Sequence, residues 1–199
     1  MNHFQLIRSG IDVGPVLNEI ERHPELWNAN RRRKEAPGTP HSQMSDIWVR
    51  YNDSKPFEES GDWSKFNDVH VPVWYPAWNA LPSLKPIVFE LMSAIGGEMI
   101  GGILITKIPP GCGIDPHTDA GWHVEYYDKF YLQLKNSPGC VFGASHGGVI
   151  EELEPSPGDI WLFDNRKLHW VRNASKEDRI TCIVCIRSDM FQRTALEGF

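Results

Sequence analysis

Three residues of types that bind metal ions, His117, Asp119 and His169, could form a metal site. In an extended segment the side chains of residues 117 and 119 project to the same face, so an imidazole and a carboxylate would converge. His169, on a predicted strand farther along the chain, is the best candidate for the third ligand. Two histidines and one carboxylate on one side of Fe(II) leave positions for a bidentate co-substrate and O2, as in non-haem iron oxygenases. A chance His-x-Asp is common in a chain with eight histidines, so further residues must support this interpretation.

Several polar residues near this motif could bind a dicarboxylate co-substrate. Arg179 begins the strand after His169, and a buried arginine is costly unless it meets an anion. Its guanidinium can hold a distal carboxylate through two charge-assisted hydrogen bonds, and the Thr106 hydroxyl could add a third. Lys129 and Tyr131 share one face of a predicted strand and could bind the carboxylate near the metal. Taken singly, Arg179 is more simply a surface cation and Tyr131 a core residue.

Composition favours one folded domain over residues 1–199 and argues against several functional classes. The chain is 41% hydrophobic, yet no run approaches the ~20 apolar residues that a membrane span requires. A net charge of −6 argues against a general nucleic-acid-binding protein, which usually carries a basic surface. The first residues lack the pattern of a secretory signal, and the four scattered cysteines suit a reducing compartment. We therefore expect a cytoplasmic protein; no pattern indicates its oligomeric state.

Two local motifs have simple structural interpretations. Cys182 and Cys185 form a CxxC on a predicted strand, where residues three apart point to opposite faces and cannot share a metal ion or a disulfide. The run Arg31–Lys34 is a basic cluster. A solvated loop is a more common setting for such a run than a phosphate or carboxylate site, so we expect a solvated loop here.

The order of apolar and turn residues predicts helices before strands. Helices are expected from Pro15 to near residue 24 and from Pro86 to about Ile95, with possible strands at Ile47–Tyr51 and Val69–Trp74. From residue 100 onward, turn residues separate short apolar runs at Gly102–Ile108, Lys129–Leu134, Gly148–Leu153, Asp159–Phe163, His169–Arg172 and Arg179–Arg187. Short apolar runs separated by turn residues are typical of the strands of a β-sandwich or small barrel. We expect a β core at about 101–190 and a substrate-side region of helices and loops at about 1–100.

Beyond these single residues, the stretch Thr106–Arg187 resembles the aspartyl/asparaginyl β-hydroxylase-like branch of the 2-oxoglutarate-dependent Fe(II) dioxygenases. The matching features are Pro110-Gly111, Pro116-His117-Thr118, Gly158-Asp159, Phe163-Asp164, His169 and Arg179. A set of residues at fixed offsets over this length is far more specific than His-x-Asp alone.

The resemblance implies a mainly β fold, a double-stranded β-helix (a cupin-like jelly roll) with flanking N-terminal helices. It also implies that His117 and His169 bind iron. Some members of this family have glycine where other iron oxygenases have the metal-binding carboxylate. Because this chain has Asp119 at that position, we expect a complete triad of two histidines and one carboxylate.

The resemblance further implies the co-substrate and the reaction. It assigns Arg179, with Thr106, to the distal carboxylate of 2-oxoglutarate, while Lys129 and Tyr131 match positions that hold the other carboxylate. With Fe(II) and O2, such enzymes convert 2-oxoglutarate into succinate and CO2 while they hydroxylate a C–H bond. The expected substrate is an amino acid, a peptidyl residue or a related small molecule.

Polar groups for substrate binding are expected from the N-terminal half of the chain and from the loop after Asp119. Candidates are Arg50 and His41, with Trp48 nearby in the sequence, and Trp122 and His123 in a segment that could cover the site. Each of these residues is more commonly structural than functional when considered alone.

Two other interpretations stay open from the sequence. A cupin-type metalloenzyme without 2-oxoglutarate usually has three histidines and does not need an arginine at the distal end of the pocket. A non-enzymatic β-barrel binding domain would merely pack His117 and His169, and it would leave the matched offsets unexplained.

Overall fold

The computed structural model describes residues 3–36, 38–62, 64–67 and 72–188, and its fold is mainly β. The described strands are β1 (Phe4–Arg8), β2 (Ser45–Asn52), β3 (Pro72–Trp74), β4 (Gly97–Ile108), β5 (Gly113–His117), β6 (Asp128–Lys135), β7 (Cys140–His146), β8 (Val149–Leu153), β9 (Ile160–Phe163), β10 (Leu168–Asn173) and β11 (Arg179–Ser188). The described helices are α1 (Gly14–Arg22), α2 (Arg32–Glu35), α3 (Lys55–Ser60), α4 (Ser64–Asn67), α5 (Ala77–Ala80), α6 (Leu84–Ala94) and α7 (Trp122–Tyr126). None of these helices is long and apolar enough to cross a membrane.

The strands form two antiparallel sheets. The larger sheet has seven strands in the order β1-β9-β6-β11-β4-β2-β3, and the smaller has four in the order β5-β10-β7-β8. Neighbouring strands in each sheet are often distant in sequence, as in the pairing of β1 with β9 and of β10 with β5. Two facing antiparallel sheets with crossing connections are the architecture of a jelly roll.

The first hundred residues contribute more strands than their sequence pattern indicates. The sequence predicts β2 to within a few residues, but β1 is not predicted, although it forms one edge of the larger sheet. Of the predicted strand at 69–74, residues 72–74 form β3 and residues 69–71 lie outside the described part of the chain. The partner of β1 is β9, more than a hundred residues away, so local pattern alone could not reveal this edge.

The central strand β11 shows how the larger sheet separates a core from a cavity. Its even-numbered residues face an apolar core that also contains Val16 and Ile20 of α1 and Leu84 and Val88 of α6. Its odd-numbered residues from Arg179 to Cys185 line a cavity on the opposite side of the sheet. The alternation follows from the two-residue period of a strand. It also places the free thiols of residues 182 and 185 on opposite faces, as predicted.

A second apolar cluster holds the two sheets together beside that cavity. The rings of Phe4, Phe142 and Phe163, one from each of β1, β7 and β9, lie with centroids 5.0 to 5.2 Å apart. All three side chains are buried. Since each large buried aromatic contributes roughly 1.5–3 kcal/mol, this cluster fixes the distance between the sheets and with it the width of the cavity.

Candidate active site

A cavity of about 460 Å³ is lined by residues of both sheets and by the segment that precedes β2. The larger sheet contributes residues of β4, β6 and β11, and the smaller contributes residues of β5, β7 and β10. Concave sites of this size, with mostly apolar walls and a few converging polar groups, are typical of small-molecule and cofactor sites.

The predicted metal ligands converge at this cavity. His117, at the end of β5, lies directly opposite His169 on β10, and their ring centroids are 4.3 Å apart. Asp119 follows β5 by two residues, and its Oδ1 lies 3.6 Å from Nε2 of His117. One possible ligand atom from each of the three side chains lies within 4.8 Å of the other two.

Backbone contacts set which nitrogen each histidine can offer to a metal. Nδ1 of His117 lies 2.7 Å from the carbonyl oxygen of Asp115, and Nδ1 of His169 lies 2.9 Å from that of Lys167. A carbonyl can only accept, so each Nδ1 carries a proton, and in the neutral ring Nε2 is the nitrogen with the free lone pair. Burial lowers the pKa of His169 to about 4, so this ring is neutral near pH 7 and suited to bind a metal.

Asp119 is held as an ionised carboxylate by two side-chain donors. Lys129 Nζ donates to Oδ2 at 2.5 Å, and Asn165 Nδ2 donates to the same oxygen at 2.6 Å. Burial by itself would raise the pKa of Asp119, but the charge and hydrogen bond of Lys129, together with Asn165, outweigh it and hold that pKa well below its usual range. Oδ2 is therefore engaged, and Oδ1 is the oxygen that faces His117.

These three side chains fit a divalent transition metal by their chemistry. Two neutral imidazole nitrogens and one carboxylate oxygen on one side of an ion form the donor set of the two-histidine, one-carboxylate iron oxygenases. Within the described residues, no other group of three or more potential ligands of this kind occurs.

Arg179 lies deeper in the same cavity, without an anionic partner among the residues that the structure describes. Its side chain lines the cavity although the residue is only 3% exposed, and its Nε has no hydrogen-bond partner in the described part of the chain. The nearest aromatic contact places its guanidinium 5.9 Å from the ring centroid of Phe142. Burial lowers the pKa of Arg179 to about 10, so it stays charged at neutral pH. A buried cation without a counter-charge is costly, which makes this end of the cavity suited to an anion.

Thr106 and Tyr131 line the cavity together with Arg179. Thr106 is 4% exposed and lies directly opposite Thr181, whose carbonyl accepts a 3.4 Å hydrogen bond from the Thr106 hydroxyl. Burial, and secondarily the charge of Asp119, raises the pKa of Tyr131 well above its usual value, so its phenol stays protonated. Two neutral hydroxyls therefore lie in the cavity that contains the buried guanidinium of Arg179.

The structure brings one predicted substrate-side histidine to the metal cluster. His41 lines the cavity, and its ring lies edge-on to His117 with centroids 5.5 Å apart. His123, on α7, also lines the cavity. Trp48 does not, because it packs against Leu104 in a small separate apolar cluster.

Arg50 and Trp122, the other predicted substrate residues, do not line the cavity. Arg50 donates from Nε to the carbonyl of Ile100 at 3.3 Å, and its guanidinium covers the ring of Trp74 at 4.5 Å. Trp122 stacks on Tyr126 with centroids 4.4 Å apart. Both side chains pack against aromatic rings outside the cavity, and no local sequence pattern reveals these contacts.

The expectation of a solvated loop for the basic run is wrong for two of its residues. Arg32 and Arg33 line the cavity, and their side chains are only 15% and 14% exposed. Arg33 donates from one terminal nitrogen to Asp46 at 2.9 Å, and Asp46 is 3% exposed. Arg31, by contrast, is 69% exposed. The sequence shows the cluster of charges, but only the fold shows which members turn inward.

Asn165 is a site residue that the sequence did not indicate. It lies in the turn between β9 and β10, beside Asp164 of the matched motif, and is 3% exposed. Asp164 instead forms an ion pair with Arg166 at 2.8 Å. Its place in the predicted turn, four residues before His169 and next to the matched Asp164, is the sequence signal that could have pointed to it.

A sequence model of the family described as Aspartyl/Asparaginyl beta-hydroxylase matches residues 28–188. The chain belongs to this family. The match includes the cluster of potential ligands, Arg179 and the turn that contains Asn165. Membership of the aspartyl/asparaginyl β-hydroxylase family confirms the predicted class of enzyme, a 2-oxoglutarate- and Fe(II)-dependent hydroxylase that uses O2. The two alternative interpretations are thereby excluded.

Solved structures similar to this one share its fold at low sequence identity. A prolyl hydroxylase from Trichoplax adhaerens, in complex with a peptide fragment of the oxygen degradation domain of hypoxia inducible factor, has a TM-score of 0.61 and 16% identity, covering 98% of this chain and 87% of its own. A prolyl-4-hydroxylase from Pseudomonas putida has a TM-score of 0.54 and 15% identity, covering 94% of both chains. A 2OG-Fe(II) oxygenase from Burkholderia pseudomallei has a TM-score of 0.54 and 14% identity, covering 72% of this chain and 67% of its own. These likenesses confirm the jelly-roll fold. No curated protein matches the sequence significantly.

Proposed function

We propose that this hydroxylase binds Fe(II) through His117, Asp119 and His169, and the distal carboxylate of 2-oxoglutarate through Arg179. The observation that carries the proposal is the pairing, within one cavity, of this cluster with a buried guanidinium that lacks a counter-charge among the described residues. When bound, the iron supplies the site at which O2 and 2-oxoglutarate react, giving succinate and CO2 as a substrate C–H bond is hydroxylated.

The protein's own residues position and shield these groups. Arg179 offers a planar donor pair to a carboxylate, and the Thr106 and Tyr131 hydroxyls are suited to add neutral hydrogen bonds. Lys129 contacts Asp119 in the structure. We therefore assign it to the carboxylate ligand, in place of the predicted role at the co-substrate carboxylate nearer the metal. Apolar residues such as Phe142 and Val171 line the same cavity and exclude water from it.

The substrate side of the cavity favours an acidic group. One terminal nitrogen of Arg33 donates a hydrogen bond to Asp46. Arg33 also lines the cavity, so its other guanidinium N–H groups are positioned to bind a carboxylate. The family description names aspartyl and asparaginyl residues, and the similar Trichoplax adhaerens structure holds a peptide fragment. We therefore propose a peptidyl or amino-acid substrate with an acidic side chain, with Arg33 and His41 at its polar end.

The test is anaerobic titration of the purified apoprotein with Fe(II) and 2-oxoglutarate, followed by the weak visible charge-transfer band of the chelated complex. His117→Ala should abolish the band, and Arg179→Ala should require far more 2-oxoglutarate to produce it. Arg172→Ala is a matched control, because Arg172 lies on β10 but is 58% exposed and pairs with Glu152 on the surface. Bound iron without the band would contradict the proposed binding of 2-oxoglutarate at the metal, and an unchanged 2-oxoglutarate requirement in Arg179→Ala would contradict the assignment of Arg179. The absence of bound iron would contradict the assignment of the metal ligands.

A further inference from the structure

Asp119 has the most elaborate support of the three side chains in the metal cluster. Each histidine is oriented by one backbone carbonyl, whereas a single carboxylate oxygen of Asp119 receives hydrogen bonds from two side chains. We infer that Asn165 is a positioning residue that, together with Lys129, restricts Asp119 to binding the metal through Oδ1 alone. This inference rests on the proposed function, because it concerns how the proposed ligand is presented.

Asn165 and Asp119 each donate one hydrogen bond to the other. The Asn165 side chain donates to Oδ2 of Asp119 at 2.6 Å, and the Asp119 backbone N–H donates to the Asn165 carbonyl at 3.0 Å. Two hydrogen bonds between the same two residues fix both the position of the main chain and the direction of the side chain. Because Asn165 is 3% exposed, water cannot readily replace its amide.

The position of Asn165 in the chain links all three proposed ligands. It lies in the turn that leads from β9 into β10, and β10 carries His169. Its contacts tie that turn to the residues that follow β5, the strand that ends at His117. The β5–β10 pairing therefore sets the two histidines, and the Asn165 contact sets the carboxylate relative to the same strands.

The use of only one carboxylate oxygen matters for the reaction. Two imidazoles and one oxygen occupy one side of a six-coordinate ion and leave three positions for a bidentate co-substrate and O2. If Asp119 bound through both oxygens, one of those positions would be lost. With Oδ2 held by Lys129 and Asn165, Oδ1 remains directed at the cluster, 3.6 Å from Nε2 of His117.

The two donors to Asp119, Lys129 and Asn165, differ in charge. Lys129 brings a positive charge, which keeps Asp119 ionised but also offsets part of the negative charge available to the metal. Asn165 is neutral, so it directs the oxygen without changing the charge of the site. Loss of Asn165 is therefore expected to change the geometry of the metal site with no change in its net charge.

A double-mutant cycle read out with Co(II) as the probe tests this inference without measuring activity. The proteins are wild type, Asn165→Ala, Asp119→Ala and the double variant, and the readouts are the Co(II) dissociation constant and the visible d–d spectrum. Removal of a residue that orients a ligand typically weakens metal binding by about 10- to 100-fold. We expect a loss of this size and an altered spectrum in Asn165→Ala. In the Asp119→Ala background, the same change should have almost no further effect, because Asn165 acts through Asp119.

Two further variants separate positioning from stability. Asn165→Asp keeps the shape of the side chain but removes the donor to Asp119, so its Co(II) spectrum should differ from that of the wild type, as in Asn165→Ala. Asn173→Ala removes another buried asparagine, 1% exposed, whose side-chain nitrogen donates to the backbone carbonyls of Ile108 and Glu177 and whose side-chain oxygen accepts from Cys140 and Ser175. It should lower the melting temperature and leave the Co(II) spectrum and affinity unchanged.

The outcomes distinguish this inference from the proposed function. Wild-type Co(II) affinity and spectrum in both Asn165 variants would overturn the inference and leave the metal site intact. Equal losses from Asn165→Ala with and without Asp119 would also overturn it, because the effect would then not pass through the carboxylate. If wild-type protein binds no Co(II), the proposed metal site fails and this inference fails with it.

Discussion

The two sheets meet at one cavity but prepare its two ends in different ways. At the end where β5 and β10 of the smaller sheet bring the histidines together, the polar groups already have partners: the histidines bond to backbone carbonyls, and Asp119 bonds to Lys129 and Asn165. On the larger sheet, Arg179 is buried, and its Nε has no hydrogen-bond partner among the described residues. The proposed metal end is thus organised by contacts within the protein, whereas we propose that the 2-oxoglutarate carboxylate completes the other end. This difference predicts different effects of substitution at the two ends.

The largest effect is expected at the organised end. His117→Ala or His169→Ala removes a proposed ligand and should weaken metal binding by more than the ~100-fold that loss of an orienting partner can cause. Succinate release in the presence of Fe(II) and 2-oxoglutarate should fall to background. His23→Ala is the control, because His23 lies on the surface and pairs with Glu25. Succinate release at the wild-type rate in either variant would contradict the assignment of that histidine as a metal ligand.

At the other end, Arg179→Met should separate stability from function. It removes a buried charge that lacks a counter-charge among the described residues, so the free energy of unfolding should stay the same or rise by about 1–4 kcal/mol without ligand. Because truncating one partner of a buried charge pair costs about 2–5 kcal/mol, the 2-oxoglutarate needed for half-maximal succinate release should rise by roughly 30-fold or more. Urea unfolding and co-substrate titration measure the two effects. A marked loss of stability would show that Arg179 has a structural partner.

Stabilisation by bound 2-oxoglutarate should also differ between the wild type and Arg179→Met. With Mn(II) present and 2-oxoglutarate at about 100 times its dissociation constant, binding should add about 2.7 kcal/mol to the stability of the wild type. For a chain of this size, that corresponds to a rise in melting temperature of roughly 5–10 °C. Arg179→Met should show the part of this shift that Mn(II) causes alone and little more. Differential scanning fluorimetry with metal alone, 2-oxoglutarate alone and both together gives the comparison, and an equal co-substrate shift in the variant would contradict it.

The smallest effect is expected from Arg50, which the sequence suggested for substrate binding. Its guanidinium covers Trp74 outside the cavity, so Arg50→Ala should lose about 0.5–1 kcal/mol of stability from that contact. Its dissociation constants for Co(II) and 2-oxoglutarate should match those of the wild type. A large rise in KM for an acidic substrate would show that the substrate extends beyond the cavity to this residue.

Much of the site could be predicted from the sequence, because its types of residue and their offsets are local properties. His117 and Asp119 share a face through the two-residue period of an extended segment. Arg179 is notable in the sequence because it lies at a fixed offset of ten residues from His169, although alone it would more simply be a surface cation. The same two-residue period is enough to separate residues 182 and 185 onto opposite faces of β11. In each case the physical cause acts within a few residues of the chain.

Tertiary structure decided the contacts between segments that are distant in sequence. Only the fold shows that Arg33 turns inward to Asp46 while Arg31 stays in water, that Lys129 bonds to Asp119, and that Arg50 packs outside the cavity. The pairing of β5 with β10, which brings the two histidines together, joins strands about fifty residues apart. The sequence by itself determined which chemistry the chain could carry, because that depends on residue types and short periods. Burial and partner choice depend on which distant segments meet, and so only the tertiary structure decided which side chains carry out that chemistry together.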